Sequence, residues 1–64
     1  MRNNSSCINV YKKTNIKSGV VTQLLYGDNF KTIKKKGSWI KIKNISDNYK
    51  GYIKLIYLFL NIFI

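Results

Sequence analysis

The sequence predicts an all-β module, a small five-stranded barrel followed by an apolar C-terminal tail. The chain has no alanine, and β-branched or aromatic residues dominate its apolar set, which favours strands over helices. Glycine, asparagine and lysine clusters recur about every ten residues, a spacing typical of small sandwiches and barrels. Closing five short strands into a barrel would leave so small a sheet without exposed edges.

The first two strands are predicted on either side of a polar loop. Residues Ile8–Lys12 alternate in polarity, and Ile8 and Val10 are expected to face the core. Residues 13–19 are polar and loop-like, and residues 20–26 then run extended into the turn pair Gly27-Asp28.

The third strand is predicted at Phe30–Lys34, with Phe30 and Thr32 on one face. Ile33 breaks the strict alternation, which predicts a β-bulge at that position. The lysine-rich residues 34–38 are expected to form a charged hairpin loop.

The clearest alternation in the chain predicts the fourth strand, Trp39–Lys43. Ile40 and Ile42 are expected to face the core, while Trp39, Lys41 and Lys43 point to the other side. One face of this strand would therefore carry an exposed indole between lysines. Residues 44–50 form a polar turn, and residues 51–54 are the last short strand.

The predicted organisation is a disordered N-terminus at residues 1–7, a barrel at 8–55 and an apolar tail at 56–64. The nearly all-apolar run at 55–64 would span only about 15 Å as a helix, half of a bilayer core, so no transmembrane span is expected. We favour interpreting the tail as the product of a truncation or frameshift. Two alternatives stay open: a segment that self-associates or docks on a partner or membrane surface, and a longer final strand.

The charge is strongly one-sided, with twelve Lys or Arg against two Asp and a formal net charge of +10. We favour composition drift as the explanation, because codons rich in A and T encode Lys, Asn and Ile, all of which are abundant here. Selection for an anionic partner would favour nucleic acid, acidic wall polymers or anionic lipid. All but one of the twelve are lysine, which lacks the planar donor fork of arginine, so the charge argues only weakly for nucleic acid.

Reactive side chains are scarce. The chain has one cysteine, Cys7, and no histidine, which excludes an intramolecular disulfide and a histidine-activated nucleophile. Asp28 and Asp47 are interpreted as turn residues. We therefore expect no enzymatic activity, no metal and no cofactor. No secretory signal is visible in the polar residues 1–7, so a cytoplasmic location is expected.

Four segments, in order and at matching spacing, resemble a bacterial SH3-like domain: residues 8–10 (INV), 24–30 (LLYGDNF), 37–42 (GSWIKI) and 51–53 (GYI). The runs at 20–28 and 48–53 resemble more specifically the N-terminal SH3 domain of NlpC-type murein peptide endopeptidases, cysteine hydrolases that cut cell-wall peptides. The resemblance covers 47 of the 64 residues and departs from the family at Tyr11-Lys12. It implies a barrel that binds or positions murein peptide beside a papain-like catalytic domain or chain, for which this sequence has no histidine.

Binding is therefore the expected function. Aromatic rings beside lysines can stack on sugars, peptides or bases, which gives five candidate binding residues: Trp39, Lys41, Tyr26, Tyr49 and Tyr52. The structural alternative is that Trp39 packs on a neighbouring loop while the tyrosines cap the barrel. Besides the favoured murein-peptide module, two other functions stay open: a small basic barrel that binds nucleic acid, and a peripheral membrane peptide that uses the tail and the lysines.

Overall fold

The structure, a computed structural model, describes residues 1–4 and 7–58. Five strands form one antiparallel sheet in the order β2-β1-β5-β4-β3. The strands are β1 (Ile8–Tyr11), β2 (Val20–Leu24), β3 (Phe30–Lys36), β4 (Trp39–Asn44) and β5 (Lys50–Lys54). A 3-10 turn, η1, lies at Ile16–Ser18, and a short helix, α1, at residues 55–58. The predicted five-stranded β architecture is confirmed.

Every strand contributes at least one apolar residue to the core. Its buried members are Ile8, Val10, Leu24, Phe30, Ile40, Ile42 and Ile53. The inward orientation predicted for β1 and β4 is therefore confirmed. In β3, Phe30 is buried as expected, whereas Thr32 on this edge strand is exposed. The ladder between β3 and β4 shifts between Thr32 and Lys34, which confirms the predicted bulge at Ile33.

The β3–β4 hairpin is tighter than the sequence suggested. Residues 34–36 continue β3 instead of forming a charged loop, and the turn consists of Gly37 and Ser38 alone. Gly37 has φ 60°, a conformation that glycine adopts without steric cost. Two-residue turns with positive φ match the right-handed twist of the flanking strands, so the lysines can stay in the ladder up to the turn.

The described residues contain no ladder between the two edge strands, β2 and β3, so the predicted closure is not seen in the backbone. The N-terminal segment lies between these edges. Met1 exchanges backbone hydrogen bonds with Phe30 of β3, and the buried side chain of Asn3 donates to the carbonyl of Leu24 in β2 at 2.9 Å. Residues 1–4, part of the segment predicted to be disordered, thus connect the two edges.

Helix α1 directly follows β5, where the barrel was expected to end at residue 55 and the apolar tail to begin at residue 56. The amide of Leu55 donates to the carbonyl of Ser38 at 2.8 Å, and Leu55 and Leu58 pack against the core. Ile56 is exposed. Among the described residues no helix is both long and apolar enough to cross a membrane. Residues 59–64, on which the interpretations of the tail mainly depend, lie outside the described part.

Candidate functional site

The outer side of β3, β4 and β5 carries lysines in three rows that run across the strands. Directly opposed residues of an antiparallel ladder point to the same side of the sheet, so the register defines the rows. They are Lys36–Trp39–Lys54, Lys34–Lys41–Tyr52 and Lys31–Lys43–Lys50. We call these nine residues the lysine face. Seven of them are lysines, and none is acidic.

The bulge in β3 explains why so many lysines share one side. Since Phe30 points to the core, strict alternation would place Ile33 and Lys35 on the outer side. The extra residue at the bulge reverses this order, because a shift of one residue exchanges the two sides of a strand. Lys34 and Lys36 consequently point outward, opposite Lys41 and Trp39.

The indole of Trp39 is half-buried, and the prediction that it would be exposed is wrong. Tyr11 of β1 packs edge-on against it, with ring centroids 5.7 Å apart and planes at 89°. On β5, the ammonium of Lys54 lies 5.9 Å from the ring centroid, a cation–π distance. Trp39 therefore joins three strands of the outer surface.

A groove of about 470 Å³ lies between the lysine face and the β1–β2 loop. Its lining residues are Lys12, Lys13, Thr14, Lys36, Lys41, Lys50, Gly51 and Tyr52. A smaller hollow of about 270 Å³ continues from it and is lined by Lys34, Lys36, Lys41 and Tyr52. Five lysines thus surround one half-buried tyrosine in the groove. Such a surface can attract an anionic ligand and pack against its apolar part.

Gly51 allows the groove to form where β1 crosses close to β5. A Cβ on Gly51 would lie 2.6 Å from Cγ1 of Val10 and 2.7 Å from the carbonyl oxygen of Tyr11. Any larger residue would push the two strands apart. The close approach also brings Tyr11 opposite Tyr52, beside the groove.

The structure brings together three of the five predicted binding residues. Trp39, Lys41 and Tyr52 share the lysine face, and Lys41 and Tyr52 also line the groove. Tyr26 and Tyr49 are exposed in the β2–β3 and β4–β5 turns and do not line it. Whether any of the five binds a ligand stays a prediction.

Sequence reasoning missed four of the groove lysines, for two reasons. Lys36 and Lys50 are detectable once the β4 alternation is extended to its two hairpin partners through the register. Lys12 and Lys13 belong to the β1–β2 loop, and no local pattern indicates that this loop lies over β5.

Both carboxylates of the chain lie in turns and are occupied there. Asp28 accepts a hydrogen bond from the amide of Leu25 at 2.8 Å. Asp47 accepts from the hydroxyl of Thr22 and from the amide of Tyr49, and these bonds, the Thr22 bond first, hold its pKa below the ordinary value of 3.8. Neither aspartate balances the charge of the lysine face.

Metal ligands and nucleophiles are equally sparse in the described ranges. Within residues 1–4 and 7–58, no three His, Cys, Asp or Glu side chains are grouped so that they could hold a metal ion. The thiol of Cys7 is exposed.

Most of the chain matches a known protein family. Residues 10–56 match the family described as "Bacterial dipeptidyl-peptidase Sh3 domain". The match includes β2 to β5 and every residue that lines the groove. No curated protein and no solved structure matches the chain.

Proposed function

The chain belongs to the family of bacterial dipeptidyl-peptidase SH3 domains, and on that premise we propose that it is a non-catalytic module that binds murein peptide and positions it for a peptidase. The observation that carries the proposal is the groove, where five lysines surround Tyr52. The family gives the class of enzyme that such a domain accompanies. The charge and the tyrosine ring of the groove support a ligand that is both anionic and partly apolar.

The groove complements a peptide that bears carboxylates. Lysine ammonium groups such as that of Lys41 form short charge-assisted hydrogen bonds with carboxylate oxygens, and their flexible stems adapt to carboxylates at different positions. The ring of Tyr52 offers an apolar surface for the aliphatic part of the peptide, with its hydroxyl as a polar contact. The hydroxyl of Thr14 at the rim supplies a further donor and acceptor.

The side chains of this sequence support a role in positioning and not in cleavage. A cysteine nucleophile needs a base such as histidine, and the sequence contains no histidine. A bound peptide held beside a separate active site reacts faster because its effective concentration there is raised. The catalytic groups would belong to a partner domain or chain.

A titration followed by NMR tests the proposal. The isotope-labelled chain is titrated with a soluble murein peptide, and we expect concentration-dependent shifts at the amides of Lys41, Gly51 and Tyr52. Lys41→Gln should weaken binding by up to about fivefold, since one solvent-exposed ion pair contributes at most roughly 1 kcal/mol. Lys17→Gln is the matched control because Lys17 lies in η1, away from the groove.

Two results would contradict the proposal. One is the absence of any shift at millimolar peptide. The other is a set of shifts confined to the turns of Tyr26 and Tyr49, which would place the ligand site outside the groove.

A further inference from the structure

We propose that the lysine face binds a base-free phosphodiester polymer, a chain of polyol phosphates of the kind found among acidic wall polymers. Murein, the ligand class of the proposed function, occurs together with acidic wall polymers, and this inference rests on that function for the identity of the polymer. The binding itself is argued from the lysine face. Four members of the face also line the peptide groove, so the polymer and the peptide would share part of one surface; these are Lys36, Lys41, Lys50 and Tyr52.

The lysine face carries charge that nothing in its own strands neutralises. Neighbouring strands are about 4.8 Å apart and alternate residues along a strand about 6.7 Å, so the seven lysine Cα positions fall within about 10 by 13 Å. These distances are comparable with the Debye length of about 8 Å at physiological ionic strength, so the ammonium groups repel one another. In the row Lys31–Lys43–Lys50 three lysines are directly adjacent, an arrangement that destabilises a sheet. A bound polyanion would remove this repulsion.

The extent of the face indicates a polymer and not a single anion. One phosphate can contact the lysines of one row, but three rows need several anionic groups in succession. A flexible chain of phosphates can cross the rows and release the counterions that it and the lysines hold, which is the main driving force for binding polyanions. Lysines suit this task because they recognise charge without requiring one geometry.

The aromatic residues argue for a polymer without bases. Proteins that bind single-stranded nucleic acid present aromatic rings on which successive bases stack. Here the ring of Trp39 already contacts Tyr11 and Lys54, which leaves Tyr52 as the other aromatic member of the face. The one arginine of the chain, Arg2, has its guanidinium against Gly27 in the β2–β3 turn and supplies no planar group to β3, β4 or β5. The face therefore offers many charges and few surfaces for stacking.

The fluorescence of Trp39, the single tryptophan, reports on binding at this face. Synthetic poly(glycerol phosphate) and oligo(dT) with the same number of phosphates are titrated at several salt concentrations, with vesicles of anionic lipid as a third probe. We expect poly(glycerol phosphate) to bind at least as tightly as oligo(dT), with affinity falling steeply as salt rises. Tenfold tighter binding of oligo(dT) would overturn the proposal in favour of nucleic acid. Preference for vesicles would overturn it in favour of a membrane surface.

A pair of charge-matched variants locates the site. Lys31→Gln with Lys43→Gln removes two charges from the face without touching a residue that lines the groove. Lys17→Gln with Lys35→Gln removes two charges elsewhere, since Lys35 pairs with the inward-facing Ile40. The face variant should weaken polymer binding and reduce the slope of log K against log salt by about 1.4, at roughly 0.7 per lost contact. Equal effects of the two variants would overturn the assignment.

The same variants separate this inference from the proposed function. Removal of Lys31 and Lys43 should leave murein-peptide binding unchanged, because neither residue lines the groove. If the wild-type chain binds the peptide but not the polymer, the inference fails alone. If it binds the polymer but not the peptide, the proposed function fails while the anion site of the face stands.

Discussion

The side-chain amide of Asn44 donates to the backbone carbonyl of Gln23 at 3.3 Å, and so joins β4 to β2, two strands that are not neighbours in the sheet. Asn44 is 1% exposed. Its side-chain oxygen accepts from both the amide and the hydroxyl of Ser46, which fixes the start of the β4–β5 turn. The buried side chain of Asn44 thus links β4 to the edge strand β2, although no backbone ladder joins these two strands.

We predict that Asn44→Ala lowers the free energy of unfolding by about 1–2 kcal/mol, because it leaves the part-buried carbonyl of Gln23 and amide of Ser46 without their partner. Urea unfolding followed by circular dichroism measures the change. Asn9→Ala is the control, since the exposed side chain of Asn9 bonds only with that of Gln23 on the surface, and it should cost less than about 0.5 kcal/mol. Equal losses for the two variants would show that burial of Asn44 is not what matters.

Gly51→Ala should destabilise the fold by about 1–3 kcal/mol, because the new methyl group overpacks the contact between β1 and β5. One of the colliding atoms is the backbone carbonyl oxygen of Tyr11, which cannot move to another rotamer. Adding Gly51→Ala to Val10→Ala should therefore still lower stability relative to Val10→Ala alone. Thermal unfolding of the four proteins in this cycle tests it, and a neutral Gly51→Ala would contradict the close approach.

The lowered pKa of Asp47 predicts a specific pH dependence. Hydrogen bonds from Thr22 and from the amide of Tyr49 favour the charged carboxylate in the folded state, so the folded-state pKa lies below the unfolded value. Asp47 then contributes stability above its ordinary value of 3.8, and the contribution is lost as the pH falls through the folded-state pKa.

Thr22→Val removes the largest cause of this shift while keeping the shape of the side chain. We expect the variant to be less stable than the wild type at about pH 6 and the difference to shrink in acid. Melting temperatures measured from about pH 2 to pH 7 decide this. A difference that stays constant over the whole range would mean that Thr22 acts through packing and not through the carboxylate.

The sequence predicts the strands well because their signals are local. Ile40 and Ile42 alternate with lysines, and this period is enough to assign the core side of β4. The bulge at Ile33 was also detectable, as a break in alternation. The apolar run after Lys54 carries no such period, and α1 forms there because Leu55 and Leu58 find the core at helical spacing.

What the sequence could not predict depends on contacts between distant segments. Asn3 and Asn44 are polar residues in polar stretches, so no local pattern predicts that they are buried. Their burial is stable because each side-chain amide donates to a distant backbone carbonyl, that of Leu24 and that of Gln23, respectively. The alternation in β4 predicts only that Trp39 points away from the core, and so it was expected to be exposed. It is half-buried because Tyr11 of β1, a residue distant in the sequence, packs against its ring. The groove could not be predicted for the same reason, since three of its eight lining residues belong to the β1–β2 loop, far from β5 in the sequence.

If the lysine face serves an anionic ligand, its lysines should lower the stability of the free protein, and substitution of Lys43 tests this. Lys43 lies between Lys31 and Lys50 in the all-lysine row, so Lys43→Gln should stabilise the fold at low salt by about 0.2–1 kcal/mol through relief of repulsion. The gain should disappear at high salt, where the charges are screened.

Lys54→Gln is the matched control for Lys43→Gln. It removes the same charge but also the ammonium over the Trp39 ring, and it should lower stability by about 0.5–1 kcal/mol. Urea unfolding at low and high salt measures both variants. Opposite signs at low salt would show that Lys43 of β4 lowers stability, as expected for a residue that serves an anionic ligand. A destabilising, salt-independent Lys43→Gln would mean instead that Lys43 acts through the packing of its aliphatic stem.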